Sequence, residues 1–401
     1  MKKIISKLVL ILVVLLLFVG FQRLVTPKYM DGILEGSFIK EYYEETTNND
    51  VVFIGDCELY ENFSPIRLWE DYGITSFIRG SAQQLIWQSY YLLEDTIRYE
   101  KPKVVVFNVL SMKYNEPQRE EYNRMSIDGM KWSMAKVNNI KASMTEGEQF
   151  LDYVFPLLRY HSRITSLTKS DFTYLFNSRK ITHNGYYMRV DVAAPEDDYG
   201  DTPPESYEFG DNAWLYLNKL TALCKEEGIE LLLVKAPSLS PIWYDEYEEQ
   251  IDAYAKDNDL QYINYLELVE ELSIDYTTDT YDEGLHMNLS GAEKLSMHLG
   301  KVLQESYGLP DHRNDEKLSK VWNEKVEFYN AMEQAQYDEL EEYGYLVSFG
   351  GENPFEDEEY DDESEFEEED EFEEDAELEE LDPENIDEDE MIESDDEEDI
   401  E

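Results

Sequence analysis

Five short apolar runs, separated by longer stretches in which apolar residues recur three and four positions apart, set the rhythm of the chain. Val51–Ile54, Ile74–Ile78, Lys103–Val109, Ile229–Val234 and Gln261–Asn264 are rich in β-branched or aromatic residues and bounded by polar or turn residues, which predicts strands. Between them, Gln83–Tyr99 places Leu85, Ile86, Tyr90, Leu92, Leu93 and Ile97 close to the helical period and stops at Lys101-Pro102. Helices are also expected to end at Tyr72 before Gly73, to run over Asn212–Glu227 before Gly228, and to cover Tyr244–Lys256. Ser290–Ser306 reads as a further helix, with Ser290 as N-cap and Glu293 at capping-box spacing. Strands alternating with helices predict an α/β fold, a doubly wound parallel sheet of five strands in flavodoxin-like order.

The rhythm breaks over residues 110–205, which carry many aromatics and read as an insertion, a lid or cap over the sheet edge. The α/β domain with this insertion is expected to span residues 29–310. Leu318, Trp322, Val326, Tyr329 and Met332 recur at helical spacing, so residues 311–349 should form a helix that docks back on it. From residue 350 the chain turns to Glu and Asp with isolated apolar residues. Such a segment cannot bury enough apolar surface to offset its ordering entropy and is expected to be disordered.

At the other end, Ile4–Phe21 is apolar apart from Ser6, Lys7 and Gly20, about the length that spans a hydrocarbon core. Lys2, Lys3 and Lys7 precede or begin it, and Val19-Gly20-Phe21 offers no small-x-small cleavage site. Residues 1–28 therefore read as an uncleaved single-pass anchor, with the N-terminus cytoplasmic and the main domain outside.

The net charge of −59 is unevenly spread: 33 of the acidic residues lie in 351–401, which has no Lys or Arg, leaving an excess of 26 on the first 350 residues. A surface this acidic excludes nucleic acid as a partner and points the tail toward cations or basic proteins. Two cysteines are too few for a disulfide framework. No P-loop, dinucleotide-binding glycine fingerprint or zinc spacing is present, so neither cofactor nor metal is expected.

Two stretches carry candidate chemistry. The first strand runs into Gly55-Asp56-Cys57, which puts a thiol at the carboxyl edge of the sheet, where open α/β folds bind ligands. Near the last helix, Asp282 and His286 share a loop. A loop carboxylate beside a loop histidine is how hydrolases orient a base. His161 and His183, in the insertion, read either as cleft residues or as ordinary loop positions. Lys235 and Ser238 read either as a Ser-Lys pair or as a turn built around Pro237.

Together, a strand-end Gly-Asp-Cys and an Asp-x-x-x-His loop before the last helix resemble the SGNH (GDSL-type) hydrolase and acyltransferase superfamily. The opening IGDCELYENFSP, the segment FPLLRYHSR (155–163) and the anchored layout are similar to its membrane-anchored cell-envelope branch, which includes the D-alanyl-lipoteichoic acid transfer protein. The resemblance covers roughly residues 45–305. It implies Cys57 as nucleophile where the family has Ser, His286 as base, Asp282 as orienting acid, and Gly80 and Asn108 as oxyanion donors. It further implies an esterase or acyltransferase acting on acyl groups of an envelope polysaccharide or teichoic-acid-type substrate, or else a catalytically silent member serving envelope binding or assembly. The chain departs from the family in three places: Cys replaces Ser, Glu283 stands where the usual Asp would be, and no G-x-N-D follows strand three. A thiolate beside an imidazolium is stabilised, so the Cys57 thiol is expected to titrate well below its free value.

Overall fold

The computed structural model of the chain describes residues 2–27, 38–117, 119–176, 180–195 and 203–348. The acidic tail from 351, expected to be disordered, lies outside the described residues. Helices run in the order α1 Lys2–Val25, α2 Phe38–Glu41, α3 Cys57–Tyr60, α4 Pro65–Tyr72, α5 Ile86–Ile97, α6 Glu120–Asp128, α7 Met134–Ser143, α8 Phe150–Val154, α9 Pro156–Tyr160 and α10 Lys169–Phe176. They continue with α11 Asp211–Glu227, α12 Asp245–Asp257, α13 Leu289–Tyr307 and α14 Glu316–Tyr343.

The strands are β1 Val51–Gly55, β2 Ser76–Gly80, β3 Val104–Asn108, β4 Glu230–Lys235 and β5 Gln261–Asn264. They form one parallel sheet in the order β2-β1-β3-β4-β5, the flavodoxin-like arrangement the rhythm predicts. Side chains alternate between two cores. Val51, Phe53, Val104, Val106, Leu232 and Val234 pack with α4, α13 and α14 residues on one face. Val52, Ile54, Val105, Phe107, Leu231 and Leu233 pack with α5, α11 and α12 residues on the other. Burial on both faces is why these strands read as continuous apolar runs rather than alternating ones.

Gly73 and Gly228 end α4 and α11 in the left-handed conformation, as their positions predict. Two local expectations shift. Strand two begins at Ser76 rather than Ile74, because the Thr75 carbonyl turns to accept from the backbone N–H groups of Asp50 and Val51 before the ladder starts. The cap of α13 is Asn288, whose side chain accepts from Gly291 N–H; Ser290 instead donates to Asp279 at 2.8 Å.

The stretch 110–205 holds α6 to α10 and a return segment. Helix α7 packs on α5. The return segment lies along β2, where Ile78 N–H donates to the Asn184 carbonyl and the Asn184 amide to Ser76 O at 3.0 Å. Helix α14 packs on α4, with Trp322 stacked on Trp69 at 5.2 Å between ring centroids. Among the described residues α1 alone is long and apolar enough to cross a membrane.

Candidate active site

All five strands end at one edge, and the Gly55-Asp56-Cys57 turn stands there at the end of β1, between β2 and β3. Gly55 is required by close approach: a Cβ would meet the Leu59 side chain at 2.8 Å and Asn108 Cβ at 3.2 Å. Gly80, its register partner on β2, is equally crowded. A Cβ there would lie 3.0 Å from the Gly55 carbonyl oxygen and from the Tyr60 ring. Cys57 opens α3 and keeps part of its surface accessible.

The loop before α13 brings His286 beside this turn, close enough that the imidazole and the thiol each shift the other's pKa. Asp282 holds His286 twice: it accepts from the backbone N–H at 2.7 Å and meets ring Nδ1 at 2.6 Å, which leaves Nε2 for the thiol. Glu283 and Gly284 both adopt positive φ, 63° and 98°. This left-handed pair bends the loop so that Asp282, four residues before the histidine, meets the ring, while Glu283 is exposed.

A second carboxylate, absent from the sequence expectations, completes the cluster. Glu61 Oε2 lies 3.3 Å from His286 Nδ1 and accepts from the Tyr281 hydroxyl; the Tyr281 ring lies nearly parallel to the imidazole. Burial raises the Glu61 pKa, against the pull of His286. Burial would lower that of His286, but Glu61 first, with Cys57 and Asp282, outweighs it and holds the imidazole well above its ordinary value. Glu61, Asp282 and His286 also place one nitrogen and two carboxylates within 4.8 Å, a donor set suited to a divalent cation, although no metal was expected.

The thiol departs from expectation. Burial pushes Cys57 up to about 11, even though His286 pulls it down, because removal from water costs the thiolate more than the imidazolium returns. Near neutral pH Cys57 is therefore a thiol rather than a thiolate.

Behind the turn lies a buried polar network. Lys235 Nζ contacts Glu58 Oε1 at 2.8 Å and Oε2 at 3.1 Å, and donates to the Ala236 carbonyl. The Asn108 amide donates to Asp56 at 2.8 Å and Glu58 at 2.9 Å. Both amide hydrogens are thereby committed, so Asn108, expected as an oxyanion donor, holds the turn instead. Lys235 is likewise spoken for. The Ser-Lys alternative fails because the ammonium is paired with Glu58 and the buried Ser238 hydroxyl has no partner among the described residues. His183 is buried against Phe328 and Tyr329, with its pKa lowered by burial to about 3, and belongs to the core. Glu58 and Glu61 did leave a sequence signal: with Asp56 they crowd three carboxylates into six residues of an apolar segment, which demands buried partners.

Asp56 is pushed up to about 7, by burial first and by Glu58 second. A carboxyl raised in the folded state favours folding while protonated. That contribution is complete below the unfolded value of about 3.9 and is lost as pH rises through about 7. Asp56→Asn keeps the acceptor for Asn108 and cannot ionise. Its urea midpoint should therefore gain on wild type steadily between about pH 4 and 7; parallel midpoints across this range would show that Asp56 ionises freely.

No family model matches the chain, and no curated protein matches it. Among solved structures, the chain is similar to a protein assigned to the lipolytic G-D-S-L family from Desulfitobacterium hafniense DCB-2, at 13% identity and a TM-score of 0.34, over 64% of this chain and 100% of that one. A protein assigned as an acylhydrolase from Bacteroides fragilis NCTC 9343 matches at 12% identity and 0.33, over 67% and 94%. A GDSL-like lipase from Bacteroides thetaiotaomicron VPI-5482 matches at 12% and 0.32, over 68% and 99%. Similarities this low carry no argument about site or activity.

Proposed function

We propose that the chain is an esterase-type hydrolase or acyltransferase, anchored in a membrane by α1, that acts outside the cytoplasm on acyl groups of cell-envelope glycans. The observation that supports the chemistry is the convergence of Cys57, His286 and Asp282 at the carboxyl edge of the sheet, with Asp282 on His286 Nδ1 at 2.6 Å. In this reading His286 Nε2 takes the thiol proton as Sγ attacks the acyl carbonyl. Asp282 keeps Nδ1 protonated and, with Glu61, stabilises the imidazolium. The tetrahedral intermediate collapses to a thioester on Cys57, and the departing alkoxide takes the proton from His286. A water or acceptor hydroxyl then gives its proton to His286, attacks the thioester and frees the thiol. Gly80, facing the Gly55 carbonyl end of β1, is proposed as a backbone donor to the oxyanion. The anchor and its orientation rest on the apolar helix and Lys2, Lys3 and Lys7. The envelope substrate rests on the sequence resemblance, and cations or basic proteins as partners of the tail rest on its charge.

Intact-mass measurement of the full chain after incubation with p-nitrophenyl acetate tests the chemistry. One acetyl increment is expected on wild type and none on Cys57→Ala. An increment that survives Cys57→Ala would move the nucleophile elsewhere. The second reading, a silent binding or assembly protein, is favoured by the committed amide of Asn108 and the raised thiol pKa. It requires that wild type neither acquire the increment nor release nitrophenol faster than Cys57→Ala does.

A further inference from the structure

We infer that residues 155–172 form a second, monotopic contact with the lipid surface beside α1, so that the insertion lies on the membrane; this rests on the anchor reading above. The side chains of α1 are exposed from Lys3 through Val19; Phe21, Gln22 and Leu24 are half-buried and Val25 is fully buried, while Arg23 stays exposed. What covers this end is the insertion: α9, the turn His161–Thr165 and α10 all pack on α1. Arg163 fixes the join by donating to the carbonyl of Val25, the last residue of the helix, at 2.7 Å, and by pairing with Asp171 at 3.1 Å.

The level of this join relative to a bilayer follows from length. A hydrocarbon core about 30 Å thick takes about 20 helical residues. Counted from Lys3, that stretch reaches Gln22 and contains Phe18. The Phe18 ring lies 6.2 Å from that of Phe155. Phe155 is therefore held at the depth of the last turn of the span. Its neighbours bear this out chemically: Leu158, Ile164 and Phe172 are 55%, 47% and 51% exposed, on the same elements that pack on α1. In water these would be stranded apolar side chains; at an interface they enter the boundary between headgroups and acyl chains. In a chain of net charge −59, residues 155–172 carry one carboxylate, Asp171, which is buried and paired with Arg163, so this stretch presents no free carboxylate to anionic headgroups.

The test uses the full chain with Cys57→Ser and Cys224→Ala, reconstituted in phosphatidylcholine–phosphatidylglycerol vesicles and recovered by flotation. A single Leu158→Cys carries an environment-sensitive nitrobenzoxadiazole, compared with Lys256→Cys on α12, which packs on β5 at the sheet edge opposite β2. Nitroxide-bearing lipid should quench the label at 158 severalfold more than that at 256, with a blue-shifted emission at 158 only. Ile164→Cys repeats the measurement if the first variant does not fold. Equal quenching at both positions in floated protein overturns the inference alone. Protection at 158 from both lipid nitroxide and soluble iodide would mean that protein covers the patch, and also overturns it. Failure of the chain to float overturns the anchor reading and this inference with it.

Discussion

His286→Ala should lower acyl transfer from an activated ester by about 10²–10⁴-fold, the usual worth of a positioned acid–base group. The loss should be this large because the resting thiol, pushed up to about 11, supplies almost no thiolate near neutrality without a base. The pH dependence follows with a definite sign. His286 accepts a proton only when neutral, and its pKa is held well above the ordinary value. Activity should therefore rise with pH through an apparent pKa above about 6.5. Asp282→Asn alone should cost less than His286→Ala, since Glu61 stands 3.3 Å from the same ring nitrogen and can replace part of the lost attraction. Removing both carboxylates, as Asp282→Asn with Glu61→Gln, should approach the His286→Ala rate and bring the apparent pKa down. Iodoacetamide labelling gives an independent readout: Cys57 should label slowly near pH 7, accelerate toward high pH, and slow further in His286→Ala. A profile that is flat above pH 6, or a histidine variant with wild-type rate and labelling, would show that the relay does not operate.

Lys235→Met should cost about 3–5 kcal/mol of folding stability, beyond the usual range for a single substitution. The ammonium is fully buried and meets Glu58, whose side chain is only 2% exposed. Without it, Glu58 would keep a buried charge beside Asp56, supported only by the Asn108 amide. The penalty is that of an uncompensated carboxylate, not the net worth of the ion pair. Removing both charges, as Lys235→Met with Glu58→Gln, should therefore recover most of the loss. Urea unfolding of the full chain in detergent measures both variants. A single variant within about 1 kcal/mol of wild type would mean that Glu58 needs no ammonium to stay buried. Because Asp56, Cys57 and Glu58 are consecutive, this network also holds the nucleophile's turn. The double variant should fold yet react more slowly with activated esters than wild type does.

The insertion marks where reading along the chain stops being informative. Its aromatic run at 153–160 shows neither strand alternation nor a long helical stripe. In the structure it is divided between two short helices, α8, which packs on α7 and α9, and α9, which packs on α1, more than a hundred residues earlier. No local pattern encodes that partnership. The misplaced cap of α13 has the same origin: Ser290 and Asn288 are both good caps, and the contact of Ser290 with Asp279 decides between them.

The sequence by itself determined the five strands, their alternation with helices and hence the order of the sheet. It also determined the stops at Gly73 and Gly228, the thiol at the end of β1, and the loop that joins Asp282 to His286. These rest on periodicity, turn residues and short-range spacing, which are local properties of a chain. The tertiary structure alone decided that Glu61 shares the histidine, that Lys235 neutralises Glu58 from 177 residues away, that Asn108 is committed to the turn, and that the thiol is raised rather than lowered. Those outcomes depend on how much water is removed from each charge and on which opposite charge arrives within about 4 Å. Both are set by packing between remote segments, to which hydropathy along the chain is blind.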